Sequence, residues 1–109
     1  MSKIACDFFG EDIYPGTILC LAENDQQKVG VVSRVIASNG NCQVIFYSTV
    51  GILPERIIKS NRVIKHADLM DRCVIVPLIR LNDAVTMYRE IKEHATRLQQ
   101  GVMRGVKSS

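Results

Sequence analysis

The chain has 109 residues, a net charge of +3 and 47% apolar residues, with no tryptophan. That length fits one domain around a modest, mostly aliphatic core. No apolar run reaches the ~18 residues that a bilayer crossing needs. The first ten residues carry Asp7 and no long apolar region, so neither a signal peptide nor a membrane segment is expected. A cytoplasmic location is.

Residues 1–13 place Ile4, Phe8, Phe9 and Ile13 in a lead-in strand or loop; if the chain binds a protein, Phe8, Phe9 and Tyr14 are contact residues instead of core. Tyr14-Pro15-Gly16 reads as a turn, because Pro presets φ and Gly supplies the positive φ a type II turn needs next. Thr17–Ala22 is a first apolar run, ending at the polar cluster Glu23 to Lys28. Val29–Ala37 is a second, rich in β-branched residues, with Gly30 at its start suited to a bulge or tight corner. Ser38-Asn39-Gly40-Asn41 follows, and Asn-Gly between strand-like runs predicts a type I′ hairpin. Cys42, Val44 and Phe46 then alternate with Gln43, Ile45 and Tyr47, so each set shares one sheet face.

Val50–Leu53 reads as a fourth strand stopped by Pro54. Pro54–Ile58 suits one helical turn, Ser60-Asn61 a turn, and Arg62–His66 a closing strand. Residues 67–81 hold a connector and an extra strand at Arg72–Val76. A helix is expected over 82–100, with Asn82 as N-cap and Gly101 as its stop, leaving 101–109 as a frayed tail. Its apolar stripe is Ala84, Tyr88, Ile91, Ala95 and Leu98. That stripe either caps the barrel of its own chain or pairs with a second copy or another protein.

Catalysis finds no support: neither His66 nor His94 adjoins a recognisable nucleophile, and no phosphate-cradling glycine motif occurs. Cys6, Cys20, Cys42 and Cys73 form no C-x-x-C pair and read as small buried hydrophobes, so no metal or cofactor is expected. The cations are distributed unevenly. Residues 1–27 are acidic, whereas Lys28, Arg34, Arg56, Lys59, Arg62 and Lys65 fall in the expected barrel at 14–66. Gathered on one side, those six would contact phosphates, with Tyr47 stacking on a base.

Gly16, the run Lys28-Val29-Gly30-Val31-Val32, Val35 and Val44 resemble the KOW motif of SH3-like small barrels. Asn24-Asp25-Gln26-Gln27 stands where that family has a glycine-rich segment, and Tudor-like barrels share the geometry. The resemblance implies contact with RNA, DNA or proteins of transcription and translation. The expectation is therefore a mainly β (α+β) protein, an SH3-like barrel of about five strands with a C-terminal amphipathic helix. It would bind nucleic acid without catalysis. The alternative is an adaptor that meets a protein partner through a barrel edge or the helix, as a homodimer in one version.

Overall fold

The structure, a computed structural model, describes residues 4–51 and 56–108, with side chains to Gly101. Five antiparallel strands form one sheet in the order β4-β3-β2-β1-β5. They are β1 (Ile18–Glu23), β2 (Gln26–Ile36), β3 (Asn41–Val50), β4 (Arg56–Ile64) and β5 (Cys73–Ile75). A short helix, α1 (His66–Arg72), precedes β5, and a long one, α2 (Thr86–Ser108), ends the chain. The mainly β architecture with a C-terminal helix is as expected.

The two hairpins use different turns from the one predicted. At Asn39-Gly40 the turn is wider: Ile36 pairs with Asn41, and the Gly40 N–H donates to the Ile36 carbonyl at 2.8 Å. Asn39 keeps a negative φ there, so the type I′ geometry is absent. The two-residue turn with both φ positive lies instead between β1 and β2, at Asn24 (51°) and Asp25 (60°). Asn and Asp tolerate that conformation because their short polar side chains bond locally.

β2 serves two neighbours in sequence. Residues from Gln26 to Val31 pair with β1, and those from Val29 to Ile36 pair with β3. Gly30 sits in the overlap, where an added Cβ would stand 2.7 Å from the Ile45 carbonyl and 2.8 Å from the Phe46 ring. A close approach, not a bulge, requires this glycine. The register irregularity falls later, between Val32 and Arg34.

β4 runs straight through Ser60-Asn61, from Arg56 to Ile64. The expected helical turn is therefore extended at Arg56, Ile57 and Ile58, and the separate closing strand at Arg62–His66 is the end of β4 followed by α1. The predicted strand at Val50–Leu53 falls partly outside the described residues, as does Pro54. The extra strand predicted at Arg72–Val76 is present as β5, paired with Leu19–Leu21 of β1.

The period of two sorts the core. Leu19, Leu21, Val32, Val44 and Phe46 point to one face, where Ala5 and Ile13 of the N-terminal segment and Leu69 of α1 complete a buried cluster. Ile18, Val31 and Tyr47 point to the other, where Ile91 and Ala95 of α2 cover them. The sheet curls round the first cluster, which draws side chains from β1, β3, β4 and β5. It does not close: among the described residues β4 and β5 are not paired with each other.

The helix begins at Thr86, later than predicted. Asn82 caps a turn just before it, its Oδ1 accepting from the Ala84 N–H at 3.0 Å. Gly101 does not stop it, since α2 continues to Ser108. Ile91 and Ala95 are fully buried, so the stripe is consumed within its own chain, on the sheet rather than over a barrel end. Ala84 lies outside the helix and is exposed. No helix among the described residues is long and apolar enough to cross a membrane.

Candidate functional site

Strand parity decides where the predicted cations stand. Arg56, Lys59, Arg62 and Lys65 recur every three residues, and a step of three on a period-two strand alternates faces. The register puts Arg62 opposite Val44 and Arg56 opposite Val50, on the face of the first cluster. Lys59 lies opposite Tyr47, on the helix-covered face, and Lys65 lies beyond β4 at the N-cap of α1. On β2, Lys28 falls on the first face and Arg34, opposite Gln43, on the second. The cations are thus divided between two sides of the sheet and do not form one positive flank.

Three of them are also engaged. Arg62 donates both guanidinium nitrogens to the Glu23 carboxylate, each at 3.1 Å, and Lys28 Nζ stands 3.6 Å from the same group. Glu23 and Arg62 belong to strands three places apart, ~14 Å in a flat sheet, so their fork spans the mouth of the curl. Arg62 holds the Glu23 carboxyl below the usual carboxylate range, with Lys28 contributing less. Lys59 lies 4.0 Å from Glu90 of α2 and 5.6 Å above the Tyr47 ring.

Tyr47 does not offer a stacking face. It is 5% exposed, and its hydroxyl bonds His94 Nδ1 at 2.7 Å. Burial, then the positive Arg97 and Lys59, push the His94 pKa below its ordinary value. Burial raises the Tyr47 pKa in turn.

The cleft that sequence reasoning missed lies where β2 and β3 part. Their pairing ends at Val29 and Tyr47, leaving Gln26–Lys28 bonded only to β1 and Ser48–Val50 only to β4. The gap between them is a cavity of about 350 Å³. Phe46 and Met87 provide its apolar lining, Ser48, Thr49 and Ser60 its hydroxyls, and Lys28 and Arg62 its charge. No carboxylate lines it. Arg62 stacks 5.7 Å from the Phe46 ring centroid, which fixes the guanidinium beside the aromatic surface. Lys28, Tyr47 and Arg62 are therefore brought together, whereas Arg34, Arg56 and Lys65 are not. Sequence alone gave no signal for this cleft, because it arises from where a shared strand changes partners.

Burial pushes the Cys42 thiol up to about 11 and Cys73 up to about 12. Among the described residues no group of three or more His, Cys, Asp or Glu is placed to hold a metal. No family model, curated protein or solved structure matches the chain. What fold and site define is a curled β-sheet module with one face under a helix and an open cleft at a strand divergence.

Proposed function

We propose that this protein is a non-enzymatic binding module whose cleft, between Gln26–Lys28 and Ser48–Thr49, takes an aromatic, acidic segment of a protein partner. The observation that carries the reading is the lining of that cleft: Met87 and the little-exposed Phe46 ring beside Lys28 and Arg62, two cations that share the single Glu23 carboxylate and so leave a net positive charge. Its volume lies at the lower end of ligand-binding cavities, ~300 to 1,000 Å³. Unpaired backbone on both strands adds donors and acceptors for an extended chain.

The strand order supports reading the curl as an SH3-like small barrel left open, in which a short helix precedes a last strand that returns to β1. The split of the cations weighs against a phosphate track. On β4 they suit a different purpose, since charged side chains on an exposed edge strand discourage pairing with other chains.

Fluorescence anisotropy tests the proposal, with a labelled peptide rich in Phe and Asp/Glu and a labelled single-stranded oligonucleotide as the two probes. The peptide should bind, and Ser60→Trp, which fills the cleft from an exposed position, should weaken it at least tenfold. Oligonucleotide binding with a salt slope of roughly −0.7 to −0.9 per contact, and no peptide binding, would instead return the function to nucleic acid.

A further inference from the structure

The N-terminal segment is a small hairpin whose tip breaks an ordinary rule. Ile13 N–H donates to the Ala5 carbonyl at 2.8 Å, Cys6 bridges Asp12, and Asp7 N–H donates to the Glu11 carbonyl at 3.0 Å. The loop closes with Gly10 N–H on the Asp7 carbonyl at 3.0 Å and Gly10 at φ +80°. Phe8 and Phe9 are thus the two central residues of a β-turn, positions that polar residues normally fill. They are 58% and 71% exposed, with rings edge-on at 5.3 Å.

The tip is held in place. Asp7 is 2% exposed, and its carboxylate accepts from the N–H groups of Phe9 at 3.0 Å, Glu11 at 2.9 Å and Ile75 of β5 at 3.1 Å. Phe8 N–H also donates to the Cys73 carbonyl at 2.9 Å. Two phenylalanines on so fixed a turn form a preorganised knob, with the ordering cost of docking already met.

Charge selects the occupant. The acids beside the knob are Glu11 and Asp12, both exposed, with no Lys or Arg in residues 4–27, which disfavours nucleic acid and anionic lipid. Two knobs meeting across a twofold axis would set Glu11 and Asp12 against their own copies. The same chain carries a concavity of the opposite sign, the cleft lined by Phe46 and Met87, where Lys28 and Arg62 share the one Glu23 carboxylate and leave a net positive charge.

We infer that the Phe8–Phe9 knob of one copy docks in the β2/β3 cleft of a second copy, giving head-to-tail self-association. The inference rests on the reading of the cleft as a seat for aromatic, acidic segments. A heterologous contact of this kind leaves a free knob and a free cleft at the ends, so it extends instead of stopping at a dimer. It is also small, well under the ~1,200 Å² of stable interfaces, so association is weak and concentration-dependent.

Sedimentation velocity tests it on four samples: wild type, the knob variant Phe8→Ser/Phe9→Ser, the cleft variant Ser60→Trp, and the two variants mixed. All substituted positions are exposed, and circular dichroism checks that each variant folds. Between ~10 μM and ~1 mM, concentrations that bracket weak dissociation constants on the affinity scale, the wild-type sedimentation coefficient should rise while each variant alone stays monomeric. The mixture should form a dimer and nothing larger, because one intact knob meets one intact cleft. A monomeric wild type, a knob variant that still associates, or a mixture that stays monomeric would each overturn the inference. A monomeric wild type whose cleft still binds the Phe/acid peptide would do so while leaving the cleft's function standing.

Discussion

Three glycine substitutions separate backbone strain from steric overlap, and one tests how α2 is seated. Gly16 has φ +90°, and its N–H donates to the Val32 carbonyl at 2.7 Å. A Cβ there would stand 2.9 Å from the Ala95 carbonyl and 2.9 Å from the Gln99 nitrogen, both backbone atoms of α2. Gly16→Ala therefore adds conformational strain of ~1 to 3 kcal/mol to overpacking of ~1 to 3 kcal/mol. Reduced unfolded-state entropy offsets ~0.4 to 1 kcal/mol. The net loss is about 3 kcal/mol, a fall in Tm of ~12 °C or more for a domain of this size.

Gly10→Ala is the control for strain alone, since φ is +80° and nothing lies within 4 Å of its Cβ; it should cost ~1 kcal/mol. Gly30→Ala carries the overlap alone, 2.7 Å to the Ile45 carbonyl, and should cost ~2 kcal/mol. Urea denaturation of the three variants measures the set. Should Gly16→Ala match Gly10→Ala within ~0.5 kcal/mol, the precision with which independent sites are compared, the helix is not packed on the Tyr14–Gly16 turn.

Other predictions concern buried groups. Ile91→Ala removes a fully buried side chain from the α2–sheet cluster and should cost ~2 to 5 kcal/mol in the same denaturation assay. Because the His94 pKa is lowered in the fold, the unfolded chain binds more protons below its ordinary value of ~6.5. That contribution to stability is complete above ~6.5 and is lost as pH falls towards the folded value. Thermal melts from pH 8 to 5 should show a decline that His94→Asn reduces. Asp7→Ala strips three backbone N–H groups of their acceptor and should cost ~3 kcal/mol, seen as a lower urea midpoint. In native protein at pH 8, Cys42 and Cys73, pushed up to about 11 and about 12, should resist a thiol reagent until urea unfolds the chain.

Local pattern made much of the fold legible. The alternation from Cys42 to Tyr47 placed both faces of β3 correctly, and the spacing of Tyr88, Ile91, Ala95 and Leu98 marked the face of α2 that turns inward. What pattern misjudged were features settled by neighbours at a distance. Asn39-Gly40 carries the usual hairpin signal, yet the pairing of Ile36 with Asn41 leaves four residues to turn, and Asn24-Asp25 took the tighter geometry. Gly101 is passed by the helix.

The candidate site was the least readable part. A count of cations at three-residue intervals suggests clustering, but the extended backbone of β4 throws them to alternate sides. Tyr47 carries the residue type that base stacking needs, and its inward parity instead commits it to the core and to His94. The cleft depends on where β2 exchanges β1 for β3, a long-range pairing that no local spacing records.

Mapping amide chemical-shift changes while the Phe/acid peptide is titrated into labelled protein tests the cleft most directly. Shifts concentrated at Gln26–Lys28, Phe46, Ser48–Thr49 and Ser60, and absent in Ser60→Trp, are the expected result. Shifts centred on Arg34 and Lys65, or none at any residue lining the cleft, would contradict it.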